Sequence, residues 1–229
     1  MGGLDVWVYS KPYGQAQRGG DVYYASSCAT GRISRLLLAD VAGHGDSVAA
    51  TAADLRTLMR RFVNRLDQTE FVRLLNQQFT VLSGTGSFAT AVITTFFAPS
   101  RRLTVCNAGH PRPLLYRSRD RQWTLLGDHG ADNWRTPANI PLGLFDIAEY
   151  EQFDIELESG DTLLTYTDAL VEARDADGEM LHSGEYRRSD HSCPGPALEG
   201  IETMMRIIIA ATKRKRFTLE CPYRLRVLS

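Results

Sequence analysis

The chain has 229 residues, 26 Lys+Arg against 27 Asp+Glu, a formal net charge of -1, 43% hydrophobic and 23% charged residues. These are ordinary globular values: they exclude disorder, collagen and coiled coil, and the length suits one large domain or two small ones. A near-neutral charge argues against a nucleic-acid or membrane-surface protein, although residues 182–229 carry 9 basic and 5 acidic groups, net +4, against -5 for residues 1–181.

At the N-terminus, MGGLDVWVYSKP has neither the basic n-region nor the apolar h-region of a signal peptide. The chain begins almost at its first expected strand, which suggests an isolated domain regulated in trans. Residues 21–41 hold two β-rich runs, VYYASSCA and ISRLLLADV, around Thr30-Gly31-Arg32, which predicts a hairpin. Asp46-Ser47 offer N-cap chemistry to an alanine-rich helix from Val48 to about Leu66, with Leu55, Leu58, Met59 and Phe62 at helical spacing. A second helix is predicted from Glu70 to Leu82, ended by Ser83-Gly84-Thr85-Gly86.

From Phe88 the pattern changes to strands, FATAVITTFF, LTVCNAG, PLLYR and QWTLLG, expected as a β-meander. The segment Ser87 to Ser100 is shorter than the roughly 20 apolar residues of a membrane span, so no membrane partner is expected. Residues 128–141 read as a loop, YEQFDIEL alternates, and TLLTYT is a buried strand leading to Asp168. Strands, two consecutive helices and strands again make an α+β pattern rather than a βαβ repeat. Near the end, Ile201, Met204, Met205 and Ile208 recur at helical spacing, so Ala197 to Thr212 reads as a helix serving as core or partner surface. Lys213 to Arg216 reads as a solvated basic run rather than a nucleic-acid patch. Cys28, Cys106, Cys193 and Cys221 are far apart with no zinc-ligand spacing, the usage of a reduced, cytoplasmic chain.

Carboxylates at strand ends are the chemical signal. An ionised carboxylate out of water costs several kcal/mol unless it is paired or metal-bound. Asp21 follows two glycines, Asp40 ends LLLADV, and Asp168 ends LLTYT. Hard divalent cations take such oxygen ligands, whereas each aspartate taken singly also suits a cap or turn.

The strings GGDVYY, ADVAGHG, NAGHPRPLLY, PLGL and LLTYTDALVEARDADGEML stand in the order and approximate spacing of a known family. Over roughly residues 9–181 the chain resembles the bacterial PPM-type serine/threonine phosphatases, the branch related to protein phosphatase 2C that regulates stress and sporulation sigma factors. The resemblance implies an α+β fold, a four-layer α-β-β-α sandwich of two antiparallel sheets flanked by helices. It implies a catalytic core over residues 1–181, with residues 182–229 completing or replacing the last helix and strand. A two-metal Mn2+ or Mg2+ centre is expected, with Asp21 on one metal, Asp40 bridging both, the Val41 carbonyl adding a ligand and Asp168 on the other metal. Asp40 and Asp21 are then the catalytic as well as the metal-binding candidates. The implied activity is hydrolysis of phosphoserine or phosphothreonine on a regulatory protein of the anti-sigma antagonist type.

His44 falls four positions after Asp40, whereas relatives place the histidine implicated as an acid two after the bridging aspartate, where this chain has Ala42. His44 is therefore assigned to the turn that starts the helix, and His110, with Asn107, Gly109 and Pro111, to a structural turn. The family's terminal Asp-Asp-x-Thr-Leu motif is matched here by Lys215-Arg216-Phe217-Thr218-Leu219, and a cation in place of a ligand carboxylate would weaken that metal. Three explanations stand: an altered or diverged C-terminus, a pseudophosphatase that binds a phosphoprotein without turnover, or an active enzyme whose missing ligand is replaced by water or by Asp175, Asp177 or Asp190.

Overall fold

In the computed structural model, residues 3–11, 20–43, 46–83, 86–126, 139–168 and 205–212 are described. The order is β1 (Leu4–Lys11), β2 (Asp21–Ser27), β3 (Ile33–Val41), α1 (Asp46–Phe62), α2 (Gln68–Ser83), β4 (Ala89–Phe97), β5 (Arg102–Ala108), β6 (Leu114–Arg117), β7 (Gln122–Leu125), β8 (Phe153–Glu156), β9 (Thr162–Tyr166) and β10 (Met205–Thr212). Two five-stranded sheets result, β1-β10-β9-β6-β7 and β2-β3-β4-β5-β8. The second is antiparallel throughout; in the first, β10 runs parallel to both β1 and β9 while β6 pairs antiparallel with its neighbours.

Alternation along β3 divides the core. Leu37, Ala39 and Val41 face α1 and α2, where they meet Leu55, Met59, Phe71, Leu75 and Phe79. Leu36 and Leu38 face the other way and join Phe96, Leu103 and Val105 against Leu4, Leu115 and Leu163 of the first sheet. The second sheet is therefore covered on both faces, which explains the unbroken apolar run of β3. The outer face of the first sheet carries Leu114 and Tyr166 with Trp123, Leu125 and Leu164; further helices expected over it lie outside the described residues. No described helix is long and apolar enough to cross a membrane.

The hairpin and the two helices are where the sequence predicts them, but two expectations need correction. The strands from Phe88 onward are not a meander: β4 and β5 belong to one sheet, β6 and β7 to the other. The chain changes sheets through Gly109-His110-Pro111-Arg112-Pro113, where two prolines cannot donate to a ladder and stop pairing from continuing. The expected helix over Ala197 to Thr212 is replaced at Met205–Thr212 by a strand between two others. Three consecutive isoleucines are stiff, β-branched and suited to a strand, here paired along both edges with β1 and β9, and short apolar runs do not distinguish the two periods.

Two side chains lock the helices. Arg35 is buried on the helix-facing side of β3, donates to Val63 O at 2.7 Å, Leu66 O at 2.9 Å and Thr95 Oγ1 at 3.1 Å, and stacks 4.9 Å over the Phe71 ring. It thereby collects carbonyls left open where α1 ends. The α2 residue Asn76, also buried, donates to Phe145 O at 2.8 Å and accepts from Gly143 N at 2.9 Å and Tyr150 Oη at 3.0 Å. The PLGL segment is thus tied to α2, and its Leu142 exchanges two backbone hydrogen bonds with Ala89 at the start of β4.

Candidate metal centre

Asp21 opens β2, Asp40 is the penultimate residue of β3, and the register sets them directly opposite each other. Val41 N donates to Gly20 O at 3.1 Å. Gly20–Val41 is therefore a hydrogen-bonded step of the ladder, and Asp21–Asp40 is the adjoining narrow step, in which Cα atoms approach to about 4.5 Å and side chains lie closest. Both aspartates share strand parity with Tyr23, Ala25, Leu36 and Leu38, which turns them toward the other sheet. Oδ1 of each is shut off from solvent. Two carboxylates opposite one another present oxygen ligands of the kind a divalent cation takes.

Gly20 keeps the space open. A Cβ there would lie 2.7 Å from Val41 O, 2.9 Å from Asp40 Oδ1 and 3.1 Å from Val48 Cγ1, closer to the oxygens than side-chain atoms pack. The Val41 carbonyl and the Asp40 carboxylate thus flank one glycine-cleared point beside Val48 of α1, and Asp21 lies across the ladder from Asp40. This all-oxygen donor set fits Mg2+ or Mn2+ and does not suit a soft metal.

Asp168 stands two residues past the end of β9 and is partly buried. His110 connects the two regions. Its Nδ1 lies 2.9 Å from Thr90 Oγ1, and Thr90 is the cross-strand neighbour of Asp40. On its other side is the backbone of Tyr166; Nε2 makes no hydrogen bond of good geometry, but the carbonyl is near enough to favour a protonated ring. The end of β9 and the Asp21–Asp40 pair therefore share one end of the sandwich. Among the described residues no group of three or more His, Cys, Asp or Glu is gathered as a metal site. The structure brings Asp21, Asp40 and Val41 together and leaves Asp168 at the same end but outside that cluster.

Burial pushes the His110 pKa down to about 4 against the weak opposing pull of Tyr166, so the ring is neutral at pH 7. Its setting matches the structural turn expected: Asn107 Nδ2 donates to His110 O at 2.9 Å and His110 N to Asn107 Oδ1 at 2.8 Å. Gly109 has φ +68°, and a Cβ there would strike Pro141 at 2.8 Å. His44, Asp175, Asp177, Asp190 and the Lys215–Leu219 string lie outside the described residues. Sequence reasoning missed Thr90, which FATAVITTFF does nothing to mark, and the reason for Gly20, although the glycine itself was visible beside Asp21.

The family model for stage II sporulation protein E (SpoIIE) matches residues 31–218. The chain belongs to that family. The SpoIIE-family chain is similar to two phosphoserine phosphatases of Bacillus subtilis (strain 168): RsbP, 25% identical over 142 residues, 60% of this chain and 33% of that protein, and RsbU, 23% identical over 176 residues, 76% and 49%. It thus spans between a third and a half of the length of these relatives. Among solved structures it resembles the RsbU and RsbW domains of a Mycobacterium tuberculosis protein, with TM-score 0.61 and 26% identity over 78% of this chain and 46% of that one. It also shares its fold with the SiaA-PP2C domain of Pseudomonas aeruginosa (TM-score 0.59, 19% identity, 74% and 64% covered) and with RsbX solved in complex with magnesium (TM-score 0.55, 20%, 71% and 72%).

Proposed function

We propose that this SpoIIE-family chain is a Mn2+- or Mg2+-dependent protein phosphatase that hydrolyses phosphoserine or phosphothreonine on a regulatory protein of the anti-sigma antagonist type. The observation that carries the reading is the Asp21–Asp40 pair, set face to face in the narrow step of the ladder with Gly20 clearing the space beside Asp40 and the Val41 carbonyl. The phosphoserine phosphatase relatives RsbP and RsbU support the reaction class, and the magnesium-bound RsbX supports the metal.

In this reading Asp21, Asp40, the Val41 carbonyl and Asp168 would hold the divalent cations through oxygen ligands. A divalent cation held there would supply an acidified water as nucleophile and would offset charge on the phosphoryl oxygens. The chain's own part is positioning. The β2–β3 ladder fixes the two carboxylates, and the second sheet, packed on both faces, keeps them from spreading. His110, buried and neutral, does not serve as the acid that protonates the leaving group.

The test is hydrolysis of p-nitrophenyl phosphate and of a phosphoserine peptide with Mn2+ titrated from none to millimolar. Activity is expected to require Mn2+ and to fall at least 1000-fold, about 4 kcal/mol in barrier, in Asp40→Ala. Hydrolysis by wild type would also show that the carboxylate relatives draw from their last strand is dispensable here. Full Mn2+-dependent activity in Asp40→Ala would overturn the site, and no hydrolysis at any metal concentration would overturn the activity.

A further inference from the structure

The buried imidazole of His110 lies at the end of the sandwich that carries Asp21 and Asp40. It is aimed rather than loosely packed: Asn107 grips its backbone through two hydrogen bonds, and the left-handed Gly109 wedged on Pro141 sets the direction in which the chain leaves β5. Asp21, Asp40 and Thr90 form one row across three adjacent strands, all on the face toward the first sheet. The row continues through the Thr90 hydroxyl to His110 Nδ1 at 2.9 Å. On its other side the ring lies near the Tyr166 backbone in β9, two residues before Asp168, without a hydrogen bond to it.

A metal centre that draws ligands from both sheets tolerates little error in their separation. Mg2+ holds oxygen at about 2.0–2.1 Å, and a functional constellation must be held to within roughly 0.5 Å. We propose that His110 and Thr90 are a positioning pair that spans the sandwich and sets how closely Asp168 approaches the Asp21–Asp40 pair. The inference rests on the metal reading given above. Neither residue touches the metal; both act through the strands that carry the ligands. Outer groups that orient metal ligands typically cost 10–100-fold in metal affinity when removed.

Calorimetric titration of Mn2+ into the full chain, without substrate, tests this in wild type, Thr90→Val, Thr90→Ser and His110→Phe, alongside melting of each metal-free protein. Thr90→Val keeps the side-chain shape and removes the hydroxyl; Thr90→Ser keeps the hydroxyl. The dissociation constant for Mn2+ is expected to rise tenfold or more in Thr90→Val and His110→Phe and to stay within about threefold of wild type in Thr90→Ser. A purely structural pair would lower the melting temperature and leave the Mn2+ affinity of the folded protein unchanged, and that result overturns the proposal. If His110→Phe does not fold, the two Thr90 variants decide. Absence of Mn2+ binding in wild type would overturn the metal reading and this proposal together, which is distinguishable from equal binding by wild type and variants.

Discussion

At Gly20 a single methyl group would crowd the Asp40 carboxylate and the Val41 carbonyl. A Cβ there would lie 2.7 Å from a backbone oxygen and 2.9 Å from a carboxylate oxygen, and the backbone oxygen cannot swing aside as a flexible side chain would. Gly20→Ala is therefore expected to displace the Val41 carbonyl, Asp40 or both. The strain should cost about 1–3 kcal/mol of stability, in line with other overpacking substitutions. Mn2+ affinity should fall at least tenfold, because the donors leave their common point. Thermal melting and metal titration of the same preparation check both effects; unchanged Mn2+ binding in Gly20→Ala would show that the metal lies elsewhere.

At the scale of elements, Arg35 explains how β3 is joined to the helix pair. One guanidinium binds two carbonyls from the turn after α1 and stacks on Phe71 of α2, so its removal opens several contacts together. Arg35→Met is expected to destabilise the fold by about 2–4 kcal/mol, since hydrogen bonds to charged groups contribute about 1.5–3 kcal/mol and the carbonyls lose a buried donor. Arg35→Lys should recover little of this, because an ammonium lacks the planar fork that spans both carbonyls. Urea denaturation measures both variants; wild-type stability in Arg35→Lys would mean that charge alone matters. The strand β10 makes the complementary point. Its residues fit the helical period of the longer 197–212 segment and, as β-branched isoleucines, a strand as well, and pairing with β1 and β9 selects the extended form.

For the molecule as a whole, acid is the informative stress. The His110 pKa is lowered from 6.5 to about 4 in the folded state. Above about pH 6.5 the ring is neutral whether folded or not, so it adds no pH dependence. Between about 6.5 and 4 the unfolded chain takes up a proton that the folded chain refuses, and stability falls as pH drops. The loss reaches about 3 kcal/mol near pH 4 at about 1.4 kcal/mol per pH unit. Asp161, whose pKa is lowered by its bonds to the Glu158 and Ser118 backbone and to Arg117 against the effect of burial, loses its contribution only at still lower pH. Denaturation at pH 7.5 and 4.5 should therefore show a smaller acid loss in His110→Phe than in wild type; identical losses would exclude the buried ring as the cause.

The hairpin, the two helices and the three strand-end aspartates were legible in the sequence because they depend on local facts: glycine turns, cap chemistry, side-chain period and the types of residue that end strands. The motif order was legible too, since it is a property of the string. Sheet membership was not, because the decision to cross the sandwich after Gly109 depends on which strand edges are already filled. Neither was the site's fine structure. Asp21 and Asp40 are 19 positions apart, and Thr90 is 50 beyond Asp40; only register places the three in one row. The sequence by itself determined which carboxylates are candidates for a metal and where the chain turns. The tertiary structure alone decided which of those residues face each other, because side-chain direction and register are settled when strands pair and sheets pack.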